Sequence, residues 1–146
     1  MRVGVDRPFL DANVLFSAAY LPESRLRKLW SLPRVKLVSS AFAIEEARRN
    51  LAAYRPEALS LLDELCAPLT LAPETQVAPP FPDGIELPEK DRPILAAAIA
   101  ARCTHLLTGD ARHFGALYGR TIGGVLVLAP AEYFRRRSRA GRRRRR

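Results

Sequence analysis

Cysteine is scarce: Cys66 and Cys103 are the only two, and neither belongs to a Cys-x-x-Cys run or a Cys/His cluster. That excludes a zinc-finger ligand set and a disulfide framework, and leaves both thiols as small core hydrophobes. No window approaches the ~18 consecutive apolar residues that a membrane span requires. The N-terminus lacks the basic start, apolar stretch and small-residue cleavage site of a secretory leader. A soluble, cytoplasmic protein with no membrane association is therefore expected. Acid is missing from the last segment, "RRRSRAGRRRRR" (135–146), which holds nine arginines. Without that segment fifteen Lys/Arg face fifteen Asp/Glu, so the net charge of +9 and the pI near 10.5 describe the terminus and not the body.

At 146 residues the chain has the size of one domain that buries its own core. A block of like charge with nothing apolar is expected to stay disordered. The expected organisation is a folded domain over 1–134 and an arginine-rich disordered tail over 135–146. Arg142, Arg143, Arg144, Arg145 and Arg146 are candidate nucleic-acid contacts, through a sequence-blind and salt-sensitive attraction to phosphates. A solvated extension is the alternative, because arginine outnumbers lysine throughout.

Apolar period and turn residues predict alternating strands and helices. A strand is expected at 8–11, helices at 13–20 and 24–32, and a strand in "VKLVSS" (35–40). A serine-capped helix is expected in "SAFAIEEARRNLAAY", then a helix at 56–66 and a short strand in "LTLA". Residues 73–88 carry five prolines and predict a long irregular loop. A helix follows in "RPILAAAIAARC", with Pro93 in its first turn. Next come a strand in "HLLT", a short helix or turn in "DARHFGALY", a last strand in "GGVLVLAP" and a short helix from Ala131. Short, continuously apolar strands separated by helices argue for a parallel sheet covered on both faces. Ligands of such sheets bind beyond the carboxyl ends of the strands.

That rule selects Asp11, after "FL", and Asp110, after "HLLTG"; either could equally cap the helix that follows. Asp91 opens a helix, where capping or the helix dipole explains it as well. Glu46 lies off the apolar stripe formed by Ala41, Ile44, Ala47 and Leu51, as a solvated glutamate would. Four carboxylates gathered at one sheet edge would repel unless neutralised, and hard oxygen ligands suit Mg²⁺ or Mn²⁺. Such ions activate water and stabilise charge on a phosphodiester.

The runs "FLDANVLFSAA", "SSAFAIEEARRNL" and "KDRPILAAAIAARCTHLLTGDARHFG" resemble, in order and spacing, a PIN domain over nearly all of 8–134. The resemblance implies a three-layer α/β/α fold with a short, mostly parallel sheet of about five strands. It also implies a Mg²⁺- or Mn²⁺-dependent ribonuclease, of the kind found as the toxin of VapBC-type toxin-antitoxin modules. The family's acids fall on Asp11, Glu46 (with Glu45 as fallback), Asp91 and Asp110, as catalytic and metal-binding residues. Asn13 and Thr108 fall beside them as site-shaping groups. The implied partners are an RNA substrate, a cognate antitoxin protein and a second copy in a homodimer.

The chain departs from the family's pattern at His113, where members often carry another acid. His113 could contact a phosphate, but a surface or turn histidine is the plainer reading there, and a structural one for His105. A PIN fold that binds nucleic acid without cutting is the alternative function. A haloacid-dehalogenase-like phosphatase is disfavoured, because Asn13 stands where its second aspartate belongs.

Overall fold

A computed structural model describes residues 4–73 and 81–144. Strands β1 (Pro8–Leu10), β2 (Val38–Ser39), β3 (Thr70–Leu71), β4 (His105–Leu107), β5 (Thr121–Ile122) and β6 (Val125–Leu128) form one sheet, ordered β3-β2-β1-β4-β6-β5. Every pairing is parallel except β5 with β6. The helices are α1 (Ala12–Tyr20), α2 (Ala41–Tyr54), α3 (Leu59–Cys66), α4 (Arg92–Ala100), α5 (Ala111–Phe114) and α6 (Pro130–Arg144). The result is the expected three-layer α/β/α fold with a mostly parallel sheet.

β1 is buried along its whole length, and β4 and β6 nearly so, which is why their sequences are apolar without alternation. Phe9, Leu10, Leu106, Leu107 and Val127 are fully buried, and Leu15 of α1, Leu51 of α2 and Leu62 of α3 pack into the same core. α1, α2 and α3 pack against one another as one layer. Ser40 starts α2 as expected, its Oγ accepting from the Ala43 amide at 3.1 Å. Trp30 lies against the core and donates to the Leu65 carbonyl at 2.8 Å.

Several elements depart from the sequence-based expectation. Residues 25–31 are 3₁₀ and not α, and 56–66 divide into a 3₁₀ turn and α3. The sheet has a sixth strand, β5, which joins β6 through Gly123 and Gly124, both at positive φ (57° and 85°). This is the backbone a two-residue hairpin turn demands. Part of the proline-rich loop, 74–80, lies outside the described residues.

The C-terminal segment also differs. Residues 135–144 continue α6 where charge composition predicts disorder, and the expected boundary after 134 falls inside that helix. Arginine is a good helix former, and the helix is tied to the body. Glu132 accepts from Arg135 at 2.8 Å and Arg136 at 3.2 Å, one turn on. Asp6 accepts from Tyr133 at 2.7 Å and from Arg137 at 3.1 Å, and Arg137 also reaches the Pro33 carbonyl. Arg145 and Arg146 lie outside the described residues.

Candidate functional site

The register of the two central strands builds the site. Leu10 of β1 pairs with Leu107 of β4, so the residues that follow, Asp11 and Thr108, emerge side by side at the carboxyl end of the sheet. The Asp11 amide extends the ladder by donating to the Leu107 carbonyl at 3.1 Å. Asp11 is 5% exposed and uses both carboxylate oxygens. Oδ1 caps α1 by accepting from the Ala12 amide at 2.7 Å. Oδ2 accepts from Thr108 Oγ1 at 2.8 Å and from Asn13 Nδ2 at 3.1 Å. Asp11 therefore serves as a cap and also binds Thr108 across the strand ends. Burial pushes its carboxyl up from the ordinary 3.8; the bonds from Thr108, Ala12 and Asn13 oppose that rise, and the charge of Glu46 adds to it.

Thr108 and Asn13 tie this carboxylate to the next loop. The fully buried Thr108 hydroxyl also accepts from Asn13 Nδ2 and from the Asp110 amide, each at 3.1 Å. Asn13 Oδ1 accepts from the Gly109 amide at 2.7 Å. A Cβ on Gly109 would lie 3.3 Å from that same oxygen, so the loop backbone passes close to Asn13.

Asp110 follows this bracket and starts α5, where Oδ1 accepts from the His113 amide at 3.2 Å. Its Oδ2 lies 2.7 Å from Nδ1 of His113, and the same nitrogen is 3.3 Å from Oδ2 of Asp91. Asp91 stands at the start of α4 without forming the capping bond that composition allows. Its Oδ2 is buried, and the contact to His113 does not have hydrogen-bond geometry, so that oxygen has no hydrogen-bond partner. Among the described residues, Asp91, Asp110 and His113 form a group whose ligand atoms all lie within 4.8 Å of one another.

Glu46 and Asp11 stand outside this tight group. Glu46, on α2, is half-buried, and its charge reaches Asp11. Glu45, the fallback, is exposed on the side of Arg48. The four predicted acids thus fall into two tiers: Asp91 and Asp110 around one imidazole, and Asp11 with Glu46 beside it. Arg142, Arg143 and Arg144 lie on α6.

The donor set fits a divalent cation. Two carboxylates and an imidazole converge, and a buried carboxylate oxygen without a partner is costly unless something neutralises it. Carboxylate oxygens suit Mg²⁺ and Mn²⁺, and imidazole suits the transition ions better.

Two residues of the site escape sequence reasoning. His113, expected on a surface or turn, is drawn inward by α5, which turns it back onto Asp110; the (i, i+3) spacing was the available signal. Tyr118 donates its hydroxyl to the Thr108 carbonyl at 2.7 Å. Burial raises its phenol above 10.0, and the charges of Asp110 and Asp11 add to the rise. Nothing in the sequence near Tyr118 announces that position.

No protein-family model matches this chain, and no curated protein matches it. Among solved structures it is similar to a chain of the VapBC2 complex from Rickettsia felis, a complex crystallised with a DNA fragment from its promoter. The two chains are 15% identical at a TM-score of 0.59, over 84% of this chain and 98% of that one. At so low an identity the likeness establishes a shared fold, the three-layer architecture whose strand ends carry Asp11 and Asp110.

Proposed function

We propose that this protein is a metal-dependent endoribonuclease that hydrolyses RNA phosphodiester bonds, and that it is the toxin of a toxin-antitoxin pair. The observation that carries the reading is the buried, unpartnered Asp91 Oδ2 converging with Asp110 and His113 at the end of the sheet where Asp11 emerges. The fold likeness to a VapBC2 chain supports the choice of nuclease and of an antitoxin partner.

Asp91, Asp110 and His113 would hold the ion, with Asp11 at the adjoining strand end and the charge of Glu46 reaching it. Bound Mg²⁺ or Mn²⁺ supplies Lewis-acid polarisation of the phosphate and a more acidic water. The chain's own residues supply position. Thr108 and Asn13 hold Asp11 at one orientation, and the Thr108 hydroxyl fixes the Asp110 amide. A water oxygen bonds to phosphorus and the P–O3′ bond breaks, which leaves a 5′-phosphate and a 3′-hydroxyl. The antitoxin would cover this acidic cleft, and a basic side chain has the complementary charge.

The test is incubation of purified protein and of Asp11→Asn with single-stranded RNA and Mn²⁺ or Mg²⁺. Cleavage by the wild type alone is expected; equal cleavage by both would assign the activity to a contaminant and overturn the reading.

A further inference from the structure

A groove of about 1040 Å³ lies at the opposite end of the sheet from the carboxylates. Asp6, which precedes β1, and His105, which opens β4, belong to its wall, so it sits where the strands begin. One side is the 3₁₀ segment Arg25–Ser31 and the loop after it; the other is α6. Six cations line it: Arg25, Lys28, Arg34, Arg136, Arg137 and Arg142. The acid in the wall, Asp6, is already matched by Arg137 and by the Tyr133 hydroxyl. Arg25, Lys28 and Arg142 are exposed and have no ion-pair partner among the described residues. Half-buried Phe134 supplies aromatic surface beside these charges, while Tyr133 is buried behind the wall, its ring centre 5.9 Å from the Arg137 guanidinium.

We infer that this groove binds the backbone of a single-stranded RNA, away from the bond to be cut. The inference rests on RNA being the substrate. An acidic cleft repels a polyanion, so attraction must come from elsewhere on the surface, and the body outside the C-terminal segment has no net charge to supply it. The groove concentrates the missing positive charge. A cationic channel beside a partly exposed aromatic ring, here that of Phe134, is an arrangement that holds single strands without base specificity. α6 joins the two ends: it starts directly after β6, whose Leu128 carbonyl accepts from the Thr108 amide of the site, and its 15 residues span roughly 22 Å toward and beyond the groove.

The experiment is fluorescence anisotropy of a labelled single-stranded RNA with the full chain in EDTA, across a salt series. The groove variant is Arg25→Glu/Lys28→Glu/Arg142→Glu. The charge-matched control is Arg49→Glu/Arg102→Glu/Arg120→Glu, exposed positions that do not line the groove. Circular dichroism verifies that both fold. The groove variant is expected to bind at least about ten-fold more weakly, with a log–log salt slope shallower by roughly 2, while the control keeps the wild-type slope. Wild-type affinity in the groove variant, or equal weakening in both, overturns the inference. So does loss of binding to phosphatidylserine vesicles with RNA binding intact, which would assign the groove to an anionic membrane surface. Cleavage is scored separately. Groove-dependent binding without Asp11-dependent cleavage supports the groove and removes the nuclease; the converse removes only the groove.

Discussion

Nδ1 of His113 lies 2.7 Å from Oδ2 of Asp110. A ring nitrogen carrying one hydrogen serves one acceptor well, and Asp110 takes it. Asp91, 3.3 Å from the same nitrogen, is left with a buried oxygen that nothing satisfies. The chain therefore departs from an all-carboxylate set at the point where its acids converge, and the departure is a nitrogen donor.

His113→Ala is expected to weaken Mn²⁺ binding by about 10–100-fold, the usual loss when a group that shapes a metal site is removed. His113→Asp should restore an oxygen donor and shift preference toward Mg²⁺, which takes oxygen ligands almost exclusively. Isothermal titration with each ion measures both, and an unchanged Mn²⁺ affinity in His113→Ala would place the imidazole outside the coordination sphere.

Thr108→Val keeps the side-chain shape and removes a hydroxyl that makes one bond to Asp11 and receives two, from Asn13 and the Asp110 amide. Stranding those groups in a fully buried position should destabilise the fold by about 1–3 kcal/mol. Thr108→Ser, which keeps the hydroxyl, should lose about 1 kcal/mol. Urea denaturation gives both values, and a smaller loss in Thr108→Val than in Thr108→Ser would mean that the methyl matters and the hydroxyl does not.

The central sheet was legible because its signals are local. Short apolar runs, "FL" before Asp11 and "LL" before Thr108, mark parallel strands and their outgoing ends, and the register of Leu10 with Leu107 then puts Asp11 beside Thr108. What composition could not supply were tertiary overrides. Arginine repulsion argued against a helix at 135–144, but contacts from Asp6, distant in sequence, anchor its first turns. That the imidazole of His113 also comes within 3.3 Å of Asp91 follows from the packing of another helix start beside α5, which no local pattern records. Strand β5 is only two residues long, too short for an apolar period to reveal.

Asp11 gives a pH-dependent prediction whose sign follows from burial. Its folded-state pKa is raised above the ordinary 3.8, so the folded protein holds this proton more tightly than the unfolded chain does. Stability tied to Asp11 is therefore full below the ordinary value and is lost as pH rises through the raised one. Asn at this position has no such loss. In EDTA, the stability of Asp11→Asn relative to wild type should improve as pH rises from about 3 to about 7. Thermal melts across that range test it, and a difference independent of pH would mean that the carboxyl is not perturbed in the metal-free fold.

Gly123 is constrained by two independent requirements. It sits at φ 57° in the turn between β5 and β6, and a Cβ there would lie 2.9 Å from Cδ1 of Ile99 on α4. The left-handed backbone alone disfavours an L-residue by about 1–2 kcal/mol. The contact adds to that unless the Ile99 side chain rotates away. Gly124, at φ 85° with open space around its Cα, faces only the backbone penalty. Gly123→Ala should thus destabilise the fold more than Gly124→Ala, and the double variant Gly123→Ala/Ile99→Val should recover part of the difference. Chemical denaturation of the three variants separates the terms; equal losses for the two glycines would show that Ile99 gives way without penalty.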